Sequence, residues 1–186
     1  LFVIDMSGSM VMEGRGIDGY KTVVEEIVKT LRSIQDVGTF NIIAFAGEAD
    51  KFRGSGFMLA TEDRIDAAEK WMMRLDPADA FPNRDAGGNT KNYKVFKGYK
   101  KGRNLGTRAD LALEEAFDMD PNMIIFLSDG EPTGKKAGEV LKLVKEFQSD
   151  QDEPVMINTL SYKSKDGRDF LRKLAANNGG SYSEVK

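Results

Sequence analysis

The chain has 186 residues, 40% apolar and 31% charged, with a formal net charge of −3, a composition that fits one globular domain with a substantial core. It contains no histidine and no cysteine, which excludes disulfides, zinc–thiolate centres, thiol catalysis and any triad with imidazole as its base. No apolar run reaches the ~18–20 residues that a membrane span needs, and no charged-then-apolar leader is visible, although the chain opens inside a core strand, as a segment of a longer protein would.

The first predicted element is the strand LFVI, Leu1 to Ile4, which runs straight into Asp5, Ser7 and Ser9. A helix follows, with Val23, Val24, Ile27, Val28, Leu31 and Ile34 as its apolar stripe. FNIIAF (Phe40 to Phe45) reads as the next strand. The segment 46–59, with DKFRGSGFM around a Gly-Ser-Gly, reads as a short hairpin that adds an antiparallel edge strand. A second helix opens at Thr61 as N-cap, with Glu62 and Asp63 in its first turn and Ile65, Ala68, Met72 and Leu75 as its stripe. Leu113, Ala116 and Phe117 belong to a third helix, and MIIFL (Met123 to Leu127) is a strand. Val140, Leu143, Val144 and Phe147 mark a fourth helix, and VMINTL (Val155 to Leu160) is another strand. Phe170, Leu171, Leu174 and Ala175 mark a fifth helix that stops at Asn178-Gly179-Gly180, before a last strand in SYSEV.

Strands alternating with helices, and strands that are almost continuously apolar, predict an α/β fold: a three-layer arrangement in which a mostly parallel central sheet is covered by helices on both faces. Ligands of such sheets bind beyond the C-terminal strand ends, where the strand order reverses. That puts Asp5 and Ser128-Asp129 on one rim. In D-x-S-x-S the three oxygen-bearing side chains are spaced by two, so an extended chain aims them to one side, while Gly8 permits a tight turn. Hard oxygen donors at a strand end suit Mg²⁺, and Asp129 in LSDGEPT is a further donor from the neighbouring strand. Taken alone, D-x-S-x-S equally reads as a cap for the turn and helix that follow it.

Three stretches, in this order and on these elements, carry more: FVIDMSGSM, LGTRADLALEEAF and IIFLSDGEPT. Together they resemble the von Willebrand factor A domain. The resemblance covers nearly the whole chain except 77–106, and it implies a Rossmann-like parallel sheet with one antiparallel edge strand. It also implies a metal-ion-dependent adhesion site made by a D-x-S-x-S loop, a threonine in a second loop and an aspartate in a third. Those positions are Asp5, Ser7, Ser9, Thr107 and Asp129, with Mg²⁺ or Mn²⁺ as the ion. The ending INTLSYKSKDGRDFLRKLAANNGGSYSEV is similar to the C-terminal part of bacterial members. Thr90 in AGGNT also resembles the second loop, but an amphipathic helix follows Thr107 at once, whereas a lysine-aromatic run follows Thr90.

By this resemblance the domain is a binding module rather than an enzyme. Two carboxylates against one Mg²⁺ make a formally neutral site, and the ion keeps an affinity for one more anionic oxygen, a Glu or Asp of a protein partner. An accessory docking role in a larger enzyme or an AAA-type ATPase complex is the alternative, ahead of metal-dependent hydrolysis, which would need a general base without histidine. An envelope or extracytoplasmic place is favoured over the cytoplasm.

The stretch 77–106 is expected to be a basic, aromatic loop insertion in a single domain spanning 1–186. From Arg84 to Arg108 there are eight Lys or Arg and one Asp, which leaves the remainder at −10. Lys91, Tyr93, Lys94, Phe96, Lys97, Tyr99 and Lys100 repeat with a period of three that suits neither strand nor helix. Such a segment beside the second loop favours an acidic partner surface. It also has the lysine-aromatic composition of a single-strand nucleic acid binder, but the acidic remainder opposes wide contact with nucleic acid.

Overall fold

The structure is a computed structural model that describes residues 1–11, 18–77, 106–163 and 167–185. The expected insertion, Thr90 and the lysine-aromatic run lie outside the described residues. In chain order the elements are β1 (Phe2–Asp5), α1 (Gly19–Ser33), β2 (Thr39–Phe40), β3 (Ile42–Phe45), β4 (Ala49–Lys51), β5 (Met58–Leu59), α2 (Glu62–Met73), α3 (Ala109–Phe117), β6 (Met123–Ser128), α4 (Ala137–Ser149), β7 (Met156–Tyr162), α5 (Arg168–Asn177) and β8 (Tyr182–Val185). A single 3₁₀ turn, Gly8–Val11, follows β1.

Six strands form one sheet in the order β4-β3-β1-β6-β7-β8. β1 pairs parallel with β3 and with β6, and β6, β7 and β8 continue in parallel, while β4 is the antiparallel edge. Alternation along β1 shows how the layers are divided. Phe2 and Ile4 pack with Val23, Ile27 and Leu31 of α1 and with Ile65 and Met72 of α2. Val3, pointing the other way, packs with Leu113 of α3, Val144 of α4 and Leu171 of α5. The central strands are apolar on both sides because both sides are covered.

The elements arise where the residue patterns place them. The α1 stripe is buried at Val23, Val24, Ile27, Val28 and Leu31. α2 begins after Thr61, which is extended but makes no side-chain capping bond. At the end of α5, Gly179 takes φ +67°, a conformation glycine adopts without strain. Gly180 then passes so close to the carbonyl of Ile157 that no Cβ fits. Among the described residues no helix is long and apolar enough to cross a membrane.

One expectation needs correction. The stretch 40–45 is not a single strand, and 46–59 is not a single hairpin. β4 folds back on β3 as the antiparallel edge, but β5, after the Gly-Ser-Gly, pairs antiparallel with β2 in a separate two-stranded sheet. The break is Asn41, fully buried between β2 and β3. Its amide donates to the carbonyls of Arg53 (3.1 Å) and Gly56 (2.8 Å), and its Oδ1 accepts from the backbone of Ile42 (2.7 Å) and Arg53 (3.2 Å). This side chain ties the 53–56 loop where a continuing ladder would otherwise run.

The topology sets the position of the site. From β1 the chain goes through α1 to β3 on one side, and later through α3 to β6 on the other side of β1. The order reverses beside β1, and the crevice at a reversal opens beyond the C-terminal strand ends, where Asp5 and Ser128 stand.

Candidate metal centre

Asp5 closes β1 and Ser128 closes the adjacent β6, so Asp129 leaves the sheet next to Asp5. Asp5 and Asp129 are both fully buried, and Ser7 and Ser128 nearly so. One Asp5 oxygen, Oδ1, accepts the backbone N–H of Ser7 at 2.8 Å, and the other, Oδ2, accepts the hydroxyl of Ser128 at 2.6 Å. Ser7 Oγ and Ser9 Oγ lie 2.9 Å apart, and Ser9 Oγ donates to Asp129 Oδ1 at 2.9 Å. Four of the residues singled out in the sequence, Asp5, Ser7, Ser9 and Asp129, therefore form one hydrogen-bonded cluster contributed by two strand ends.

The way Ser7 and Ser9 reach the cluster differs from the extended-chain expectation. The chain turns immediately after Asp5. The Asp5 carboxylate holds the Ser7 amide, and the Met10 N–H donates to the Ser7 carbonyl at 3.2 Å within the 3₁₀ turn. Aspartate is suited to this role because its short carboxylate reaches the amide two residues on. The turn, not strand pleating, brings the two hydroxyls together.

Thr107, the fifth residue, sits just before α3 and is 5% exposed. Its loop is fixed from two directions. Next to it, the Arg108 N–H donates to the carbonyl of Ala46 at 2.8 Å, beyond the end of β3. Thr107 itself is bonded twice to Thr133 in the loop after β6: its N–H donates to Thr133 Oγ1 at 2.7 Å, and its carbonyl accepts the Thr133 N–H at 2.9 Å. Arg108 is in turn held by Asp110, with Nε on Oδ1 and Nη2 on Oδ2, each at 2.8 Å. This bidentate pair holds the Asp110 carboxyl below the usual carboxylate range.

Electrostatics set Asp5 apart. Burial, and after it the neighbouring charge of Asp129, push its carboxyl up to about 7, against the hydrogen bonds from Ser128 and Ser7 that favour the carboxylate. Among the described residues no cationic side chain is among the groups acting on it. Among the described residues no three of His, Cys, Asp or Glu converge on a point. The donor set is instead two carboxylates with serine hydroxyls, all hard oxygen, which is what a small hard cation accepts. Asp5, Ser7, Ser9 and Asp129 are the residues that could hold such a cation.

Sequence reasoning put Ser128 on this rim without giving it a role, and it missed Thr133 and Gly167, which also shape it. Ser128 supplies the shortest hydrogen bond to Asp5, and Thr133 clasps the Thr107 loop. Gly167, at the start of α5, lies so close to the Gly130 backbone that a Cβ would collide with it. Ser128 immediately precedes Asp129 in the polar strand end, and that was the one available signal. Nothing in residue type or spacing distinguishes Thr133 or Gly167.

No family model matches the sequence. Among curated proteins the chain is 29% identical over 184 residues to inter alpha-trypsin inhibitor, heavy chain 4, from Mus musculus, covering 97% of this chain. The chain spans only 17% of that relative's length. Among solved structures it is similar to a von Willebrand factor type A protein from Catenulispora acidiphila, with TM-score 0.70 and 18% identity over 100% of this chain and 38% of that one. The conserved hypothetical protein BatB from Bacteroides thetaiotaomicron superimposes with TM-score 0.67 and 13% identity, over 100% of this chain and 88% of its own.

Proposed function

From a chain that has the von Willebrand factor A fold, we propose a divalent-metal-dependent protein-binding module in which bound Mg²⁺ or Mn²⁺ accepts a carboxylate from a partner protein. The observation that supports this reading is the cluster of Asp5, Ser7, Ser9 and Asp129 at the reversal of strand order, with two fully buried carboxylates. Buried carboxylates side by side repel each other and are costly without a counter-charge. A divalent cation supplies that counter-charge, and the hydroxyls of Ser7 and Ser9 add neutral donors. Thr107 joins from the second loop.

The role of the chain's own residues is to bind and to present. Asp5 and Asp129 offset the charge of the ion, and the serines orient it. Mg²⁺ takes six oxygen ligands, more than these side chains offer, so positions remain for water or an incoming carboxylate. The site has no histidine to serve as a general base, and the reading is one of binding, not turnover.

The test is calorimetric titration of Mg²⁺ and Mn²⁺ into the protein and into Asp5→Asn. Binding by the first and its loss in the second is the expected result. Equal affinity in the two would remove Asp5 from the site and end this reading.

A further inference from the structure

Thr107 spends both of its backbone polar groups on one residue of another loop. Its N–H goes to Thr133 Oγ1 at 2.7 Å and its carbonyl receives the Thr133 N–H at 2.9 Å. What Thr107 has left to offer the rim is its side chain. Thr133 itself is exposed, so it is not held by core packing, and it lies four residues beyond Asp129 on the same loop. A second contact runs beside the first. The Arg108 side chain lies across Gly134, so closely that a Cβ on Gly134 would strike its Cδ and Nε, and Asp110 locks that arginine with two bonds of 2.8 Å. The Thr107 loop and the Asp129 loop are thus joined by a clasp whose central member is the Thr133 hydroxyl.

Building on the metal-binding reading above, we infer that Thr133 is a positioning residue, which sets the separation of Thr107 from Asp129 at a value that lets one ion address both loops. The reasoning is geometric. Thr107 comes from the start of α3 and Asp129 from the end of β6, and the chain joining them runs through the whole of α3. Nothing local fixes their spacing. The two hydrogen bonds to Thr133 do so directly, because Thr133 is tied to Asp129 by only a short stretch of backbone. Outer groups that orient a metal's ligands change affinity by about 10–100-fold when removed, although they touch no metal.

Three proteins separate the possible outcomes: the protein as it stands, Thr133→Val, which keeps the shape but loses the hydroxyl acceptor, and Thr133→Ser, which keeps the acceptor. The probe is Mg²⁺ alone, read by calorimetry. Amide exchange at Thr107 and thermal unfolding are both measured in EDTA. Thr133→Val is expected to bind Mg²⁺ at least tenfold more weakly and to exchange the Thr107 amide faster, with its unfolding temperature in EDTA nearly unchanged. Thr133→Ser is expected to restore both affinity and protection.

Faster Thr107 exchange in the valine variant with unaltered Mg²⁺ affinity would overturn the inference while leaving the metal reading intact. So would failure of Thr133→Ser to restore affinity, or a large fall in unfolding temperature in the valine variant, which would make Thr133 structural. If the unaltered protein binds no Mg²⁺, the metal reading falls first and this inference with it, whatever the exchange shows.

Discussion

Asp5 is fully buried beside a second carboxylate, Asp129, and that makes its protonation a matter of both stability and binding. Its folded-state value of about 7 lies above the ordinary 3.8, so the sign is clear. The neutral acid is the form that the metal-free fold prefers. Its stabilising contribution is complete below about pH 4 and is lost as the pH rises through about 7. In EDTA the unfolding temperature should therefore fall across that interval relative to Asp5→Asn, whose amide cannot ionise. At pH 8 the asparagine variant should be the more stable of the two and should bind no Mg²⁺. Affinity for Mg²⁺ in the unaltered protein should rise from pH 6 to pH 8, since the ion needs the carboxylate and competes with a proton for it. Calorimetry at the two pH values checks this, and a flat profile would contradict it.

At the scale of elements, α3 and β6 deliver the second and third loops, and two variants examine that arrangement. Thr107→Ala should weaken Mg²⁺ binding, whereas Thr90→Ala should not, because Thr107 is the threonine placed at the rim directly before α3. The reverse result would move the second loop to Thr90. Asn41→Ala addresses a different element. It leaves two backbone N–H groups and two carbonyls without the partner they have in the fold; the Ile42 N–H is buried, and a buried group so abandoned costs about 1–3 kcal/mol, whereas the groups of Arg53 and Gly56 belong to exposed residues that water can reach. Loss of about 1–3 kcal/mol in denaturant titrations is expected, with Mg²⁺ affinity retained, since Asn41 lies at the opposite end of β3 from Phe45, which pairs with Asp5.

The same elements show what could be read from residues alone. The central strands were legible as short apolar runs, the helices as stripes with a 3.6-residue period, and the first and third loops as polar residues at strand ends. Asn41 was not legible. It sits inside FNIIAF, and only its side-chain bonds to 53–56 reveal that it ends one strand and starts another. The D-x-S-x-S residues do come together with Asp129, but through the 3₁₀ turn rather than the extended-chain geometry expected of them. The hydroxyl bonds of Thr133 to Thr107 and of Ser128 to Asp5 were not legible either, since no period or composition marks such a bond, although Ser128 had been placed on the rim.

For the molecule as a whole, charge is the property that the fold does not explain. The basic segment from Arg84 to Arg108 is covalently tied to Gly106-Thr107, at the rim, while the rest of the chain carries −10. Steering of an acidic partner needs only charge near the docking point. Changing Lys91, Lys94, Lys97, Lys100 and Lys101 to Gln should therefore slow association with a carboxylate-presenting partner and flatten its dependence on ionic strength, because exposed charges act over only ~10 Å at 0.1 M salt. Mg²⁺ affinity, measured without partner, should stay within twofold. Stopped-flow association over a range of salt concentrations makes the comparison, and an unchanged salt slope would remove this segment from recognition.

The contact of Gly130 with Gly167 has a consequence for how such a chain can change over time. At Gly167 no side chain can be added without moving the Gly130 loop or α5, whereas a Cβ at Gly130 itself would meet nothing, so the restriction falls on Gly167 although its cause lies far away in sequence. Most rim contacts are of this kind or involve a single hydroxyl, and they draw little on the apolar packing beneath. Helix surfaces and core volumes are then free to drift, each compensating locally, while a few small residues hold the register of three loops. A domain constructed in this way can lose nearly all resemblance in its letters and still present the same cluster of oxygens at the same edge of its sheet.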